Sequence, residues 1–69
     1  MLRLTIERQK KGWSKSELAR RADTPLSHLS RVESGKAEPY EPVKNRLSNV
    51  LGIPEEELLE EVDDDGNDS

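Results

Sequence analysis

Leu18, Ala19, Ala22, Leu29 and Val32 recur at helical spacing through the stretch Ser14 to Lys36, with charged and hydroxylated residues filling the positions between them. The first apolar group follows Ser14, and Glu17 stands three residues on, a pair whose hydroxyl and carboxylate each satisfy a free backbone N–H at a helix start. Ser14 is therefore expected to cap a helix over Lys15 to Ala22. A second helix is expected from Pro25 to Glu33, because Thr24 is a capping residue and proline at the first helical position gives up only an N–H that has no partner there. Ser34-Gly35 stops it. Two short helices joined by a tight break predict a helix-turn-helix, with Leu26, Ser27, His28, Ser30 and Arg31 left on the outward side of the second helix.

The rest of the chain reads the same way. Helix 1 is expected from Leu4 or Thr5 to Lys11, ended by Gly12 and with Lys10 and Lys11 at the negative end of its dipole. Trp13 is expected to turn inward as the core's one large filler. After a loop from Ser34 to Glu41, Pro42 opens a fourth helix whose Val43, Leu47, Val50 and Leu51 share one side before Gly52 closes it. Pro54 opens a fifth, with Glu55, Glu56 and Glu57 in its first turn and Leu58, Leu59 and Val62 as its apolar side. No strand-like alternation appears, so the expectation is all-α: a compact five-helix domain over residues 1–62. The remainder, 63–69, has no apolar residue to bury and is expected to be a disordered acidic tail.

The order Ser14, Glu17-Leu18-Ala19, Leu29-Ser30-Arg31-Val32-Glu33, Gly35-Lys36, Leu51-Gly52-Ile53 and Glu57-Leu58-Leu59 resembles the Cro/C1-type (xenobiotic response element) helix-turn-helix family over roughly residues 4 to 60. That resemblance implies a lambda-repressor-like fold and a transcriptional regulator, in the expected sense a repressor, bound to double-stranded operator DNA. Two positions depart from the family pattern: Asp23 stands where the turn usually has glycine, and Glu7 where helix 1 usually has an apolar residue. Asp tolerates the left-handed backbone such a turn needs. The resemblance further implies phosphate contacts from Lys15 and Ser16 at the start of helix 2, and backbone contacts from Lys36 and Tyr40 after helix 3. It also implies a structural pair, Arg8 with Glu33. Thr24 completes the set of expected DNA-facing residues. Within the major groove Arg31 has the forked donors that suit guanine, Ser27 donates or accepts, Leu26 suits a thymine methyl, and His28 suits a base edge or a phosphate.

Net charge changes the picture only once it is divided along the chain. The total of −4 is the sum of +5 over residues 1–51, which hold all eleven Lys and Arg against six acids, and −9 over residues 52–69, which hold nine acids and no base. A basic body with an acidic extension fits a phosphate-binding surface beside a solvating or competing tail. Sixty-nine residues allow one domain of modest stability, and the absence of cysteine removes disulfides and thiolate metal sites. Ile53, Leu58, Leu59 and Val62 exceed what one short terminal helix needs to dock, so they are the expected homodimer interface.

Chemistry beyond binding finds little support: one histidine, no glycine-rich phosphate loop, and serines in capping or outward positions. No catalytic residue, metal or cofactor is expected. Asp63-Asp64-Asp65-Gly66-Asn67-Asp68 lacks the ligand spacing and closing glutamate of a calcium loop. With no apolar run near membrane length and no signal-peptide core, a cytoplasmic protein is expected. The rival reading is a protein-interaction module, antitoxin-like or adaptor, with a protein partner. Surface charge separates the two: an exposed face of Lys15, Arg31 and Lys36 favours DNA, and neutralisation of that face by Glu38 and Glu41 favours the adaptor.

Overall fold

The computed structural model describes residues 1–62, in which four α-helices follow in order: α1 (Arg3–Lys10), α2 (Lys15–Arg21), α3 (Leu26–Glu33) and α4 (Glu41–Leu51). A 3₁₀ turn at Glu55–Glu57 comes next, and among the described residues there is no strand, only one isolated antiparallel bridge between Leu2 and Glu61. The tail expected at 63–69 lies outside the described residues. Leu4 of α1, Leu18 of α2, Leu29 and Val32 of α3, Leu47 of α4 and Leu58 are buried almost completely and form the centre of the core. Ala19, Ala22, Val43, Leu51 and Ile53 complete it; α2 and α3 contribute the stripes their periodicity predicts, α4 does so with Val50 only partly buried, and α1 gives Leu4. Gly52 ends α4 in the left-handed region at φ 74°, where glycine carries no Cβ penalty.

The fifth helix is corrected to this single 3₁₀ turn, and the reason lies in α1. That helix begins at Leu2 without a side-chain cap, which leaves first-turn N–H groups in need of acceptors. The C-terminal segment supplies them: Arg3 N–H donates to the Glu60 carbonyl at 2.8 Å and Leu4 N–H to the Leu58 carbonyl at 3.0 Å. In a continuing helix Val62 N–H would be given to Leu58. Here it goes to the Met1 carbonyl at 2.8 Å, so the extended end of the segment caps α1 instead of coiling. Leu58 thereby drops into the core and Ile53 is buried beside it, while Leu59 and Val62 stay half-buried.

Arg8 ties α1 to the end of α3. Its guanidinium donates from Nε to Glu33 Oε2 at 2.9 Å and from Nη2 to Oε1 at 3.0 Å, and Nη1 reaches the Trp13 carbonyl at 2.8 Å. Thr5 Oγ1 adds a donor to Glu33 Oε1 at 3.2 Å. With side chains only 10% and 3% exposed, the pair is buried and bidentate. Glu7, polar where an apolar residue was expected, sits half-buried and accepts from Arg3 Nε at 3.0 Å. Trp13 is half-buried, with the Arg21 guanidinium 4.4 Å and Lys11 Nζ 5.6 Å from its ring centre. It borders the core and does not fill it.

Candidate nucleic-acid interface

Ser14 starts α2 as the sequence predicts, its Oγ accepting the Glu17 N–H at 3.1 Å. The reciprocal half of the expected capping pair is replaced: the Glu17 carboxylate turns to Arg20 Nη2 and Arg21 Nε, both at 2.6 Å. The Arg20 hydrogen bond, first among several contributions, holds that carboxyl below its ordinary range. Two cations of α2 thus share one carboxylate. Lys15 and Ser16, at the start of the same helix, remain exposed.

The turn between α2 and α3 depends on Asp23, whose φ of 54° is the one left-handed non-glycine backbone among the described residues. Asp visits that region because its short polar side chain lowers the steric penalty. Arg46 of α4 braces the turn by donating from Nη1 to the Asp23 carbonyl at 3.0 Å. Nothing in the sequence marked Arg46 for this role, because only the packing of α4 against the turn brings it there. Thr24 departs from expectation on two counts: α3 has no side-chain cap, its N-cap being Pro25, and Thr24 is buried with its Oγ1 unpartnered. It is therefore neither the cap of α3 nor an exposed DNA-facing residue.

On α3 the outward side carries Leu26, 45% exposed, together with Ser27 and Arg31, and Ser30 is half-buried. His28 does not join them. Only 9% exposed, it lies on the inward side, four residues before Val32, and its ring stacks on that of Tyr40 with centroids 4.1 Å apart and planes within 8°. Tyr40 N–H also donates to His28 Nε2 at 3.4 Å. The i,i+4 spacing to Val32 was the signal that placed His28 on the buried face. Tyr40 itself is 65% exposed and lies outside the core.

Ser27, His28, Arg31 and Tyr40 line one surface cleft of about 410 Å³, together with Pro25, Ala37 and Glu38. Lys36 lines a neighbouring cleft of about 390 Å³ with Leu2, Val32, Ala37 and Leu59, and Glu38 borders both. Lys15 and Ser16 border neither. Among the described residues Lys11, Lys15, Arg31, Lys36 and Arg46 have no carboxylate within 4.0 Å, whereas Arg3, Arg8, Lys10, Arg20, Arg21 and Lys44 do. Glu41 is taken up by Lys44 at 3.6 Å, which leaves Glu38 as the acid of the loop beside Arg31. No group of residues able to hold a metal ion occurs among the described residues, and none of their helices is long and apolar enough to cross a membrane.

Two short helices packed at a left-handed turn, the second with one face in the core and the other polar and exposed, define a helix-turn-helix protein. A helix-turn-helix family model of the Cro/C1 (xenobiotic response element) type matches residues 4–58, and the chain belongs to that family of DNA-binding transcription regulators. No curated protein sequence matches the chain.

Proposed function

We propose that this protein is a non-enzymatic, sequence-specific regulator of transcription, acting in the cytoplasm as a repressor, that lays α3 in the major groove of double-stranded DNA as a homodimer. The observation that carries this reading is the two-sidedness of α3: Leu29 and Val32 are locked in the core while Leu26, Ser27 and Arg31 stand exposed, Arg31 without a carboxylate partner among the described residues. Arg31 then takes a guanine edge, Ser27 a donor or acceptor, and Leu26 a thymine methyl. Lys15 and Ser16 take one phosphate, and Lys36 and Tyr40 the backbone on the far side.

A second copy supplies the second half-site, about 34 Å away along the duplex. Since Ile53 and Leu58 are used inside the monomer, the contact between copies falls to Leu59 and Val62, with Leu2 beside Leu59 in the same cleft. Glu38 is the one observation favouring the rival protein-interaction reading, because it sets a negative charge beside Arg31. Selection of bound duplexes from a random pool decides between them. The expected result is a recurring pair of related half-sites; a pool that stays random overturns DNA reading and leaves the interaction module.

A further inference from the structure

The segment from Ser34 to Tyr40 has no regular secondary structure, yet it carries Tyr40, whose ring is mostly in solvent. An exposed tyrosine at the end of an irregular segment gains little from burial and has many rotamers and backbone states open to it. Its position must be held by something else. Tyr40 is the N-cap of α4, and the helix start holds only its carbonyl, which accepts the Lys44 N–H at 2.9 Å; the ring and the Tyr40 N–H are not held by the helix. Those two are held by one residue: the His28 ring lies flat against the Tyr40 ring, and His28 Nε2 accepts the Tyr40 N–H. One restrains the side chain and the other the backbone. An accepting Nε2 requires the neutral ring to carry its proton on Nδ1.

We propose that His28 is a positioning residue for DNA binding, which works from the buried side of α3 to fix Tyr40 at the rim of the cleft that Ser27 and Arg31 line. The inference rests on the DNA-binding reading above and adds to it a residue that need not touch DNA. α3 and the following segment then meet the duplex as one preformed surface, with the tyrosine hydroxyl and outer ring face already placed. Ordering the tyrosine and the irregular segment it ends only on binding lowers affinity by about 2- to 12-fold, so removing the clamp should weaken binding by that factor.

The test uses the full chain and the duplex recovered by selection, titrated with wild type, His28→Ala, His28→Phe, His28→Gln, Tyr40→Ala and the double variant His28→Ala/Tyr40→Ala. Proton NMR of the free proteins reads the Tyr40 ring signals, which a stacked ring shifts, and needs no DNA. The expected results are a loss of about 2- to 12-fold for His28→Ala and for Tyr40→Ala, with no further loss in the double variant. His28→Phe, which keeps the stack, should stay within about 2-fold of wild type and retain shifted Tyr40 signals, and His28→Gln, which keeps an acceptor alone, should bind more weakly than His28→Phe. Losses that multiply in the double variant overturn the proposal. So does unchanged affinity in a His28 variant whose NMR shows the stack gone. If His28→Ala melts below the assay temperature, the comparison of His28→Phe with His28→Gln and Tyr40→Ala carries the decision. A wild-type chain that binds duplex while these variants bind equally well sinks the clamp alone; a wild-type chain that binds no duplex sinks the DNA reading and the clamp together.

Discussion

Removing either member of the Arg8–Glu33 pair should come close to unfolding this protein, whereas replacing both together should not. The pair is held by two guanidinium bonds of 2.9 and 3.0 Å, a third to the Trp13 carbonyl at 2.8 Å, and the Thr5 hydroxyl at 3.2 Å. Both side chains are nearly shut off from water, 10% and 3% exposed, so deleting one leaves a buried charge with no counterpart. Such deletions cost about 3 to 5 kcal/mol. A 69-residue chain at roughly 0.05 to 0.15 kcal/mol per residue has a total of about 3.5 to 10 kcal/mol to lose. Glu33→Ala should therefore leave a marginal fold at best. Arg8→Met/Glu33→Leu, which fills similar volume without charge, should recover at least half of that loss, because the desolvation of two ions is also removed. Urea denaturation followed through the fluorescence of Trp13, whose carbonyl the arginine grips, measures all three proteins. A single-variant loss below about 1 kcal/mol, as for a surface pair, or a double variant as unstable as the sum of the singles, would refute the reasoning.

Three further outcomes follow from the same geometry. Asp23→Gly should raise stability by up to about 1 kcal/mol by relieving the left-handed backbone at φ 54°, and Asp23→Val should lower it by about 1 to 2 kcal/mol; opposite signs in thermal melts would contradict the turn argument. Leu58→Ala should cost about 2 to 5 kcal/mol of monomer stability, whereas Leu59→Ala should leave a folded chain that sediments as monomer; a Leu59 variant that stays dimeric, or a wild type that is monomeric at high micromolar concentration both free and with DNA, would remove the proposed contact between copies. Deleting Asp63 to Ser69, which removes four acids, should tighten non-specific DNA binding at low salt, with the gain shrinking as the Debye length falls to about 10 Å near 0.1 M; affinity unchanged by the deletion at low salt would leave the segment a solubilising role only.

The helix-turn-helix was legible because its signals are local. Ser14 bonds the Glu17 N–H that its spacing predicts, Leu18, Ala19, Leu29 and Val32 lie in the core, and Asp23 adopts the left-handed turn a short polar side chain permits. The outward placement of Lys15, Leu26, Ser27 and Arg31 followed from the same periodicity. What was not legible depends on partners far along the chain. Pro54 and three glutamates look like a helix start, but the free N–H groups of α1 take the Leu58 and Glu60 carbonyls that a helix would need. The i,i+4 spacing of His28 to Val32 pointed inward, but its stacking partner, Tyr40, stands twelve residues on and only the fold brings the two rings together. Arg46 reads as one more surface cation until packing sets it against the Asp23 carbonyl.

The most direct test of the central claim compares Arg31→Ala and Lys15→Ala on the selected duplex and on random duplexes over a range of salt. Arg31→Ala should lose about 1 to 3 kcal/mol on the selected site and little on random DNA, since a base-reading arginine acts only where its guanine is present. Lys15→Ala should weaken both about equally and lower the salt slope by about one, as the loss of one phosphate contact requires. Equal losses for Arg31→Ala on selected and random duplexes would contradict the account, because the exposed face of α3 would then hold DNA without reading it.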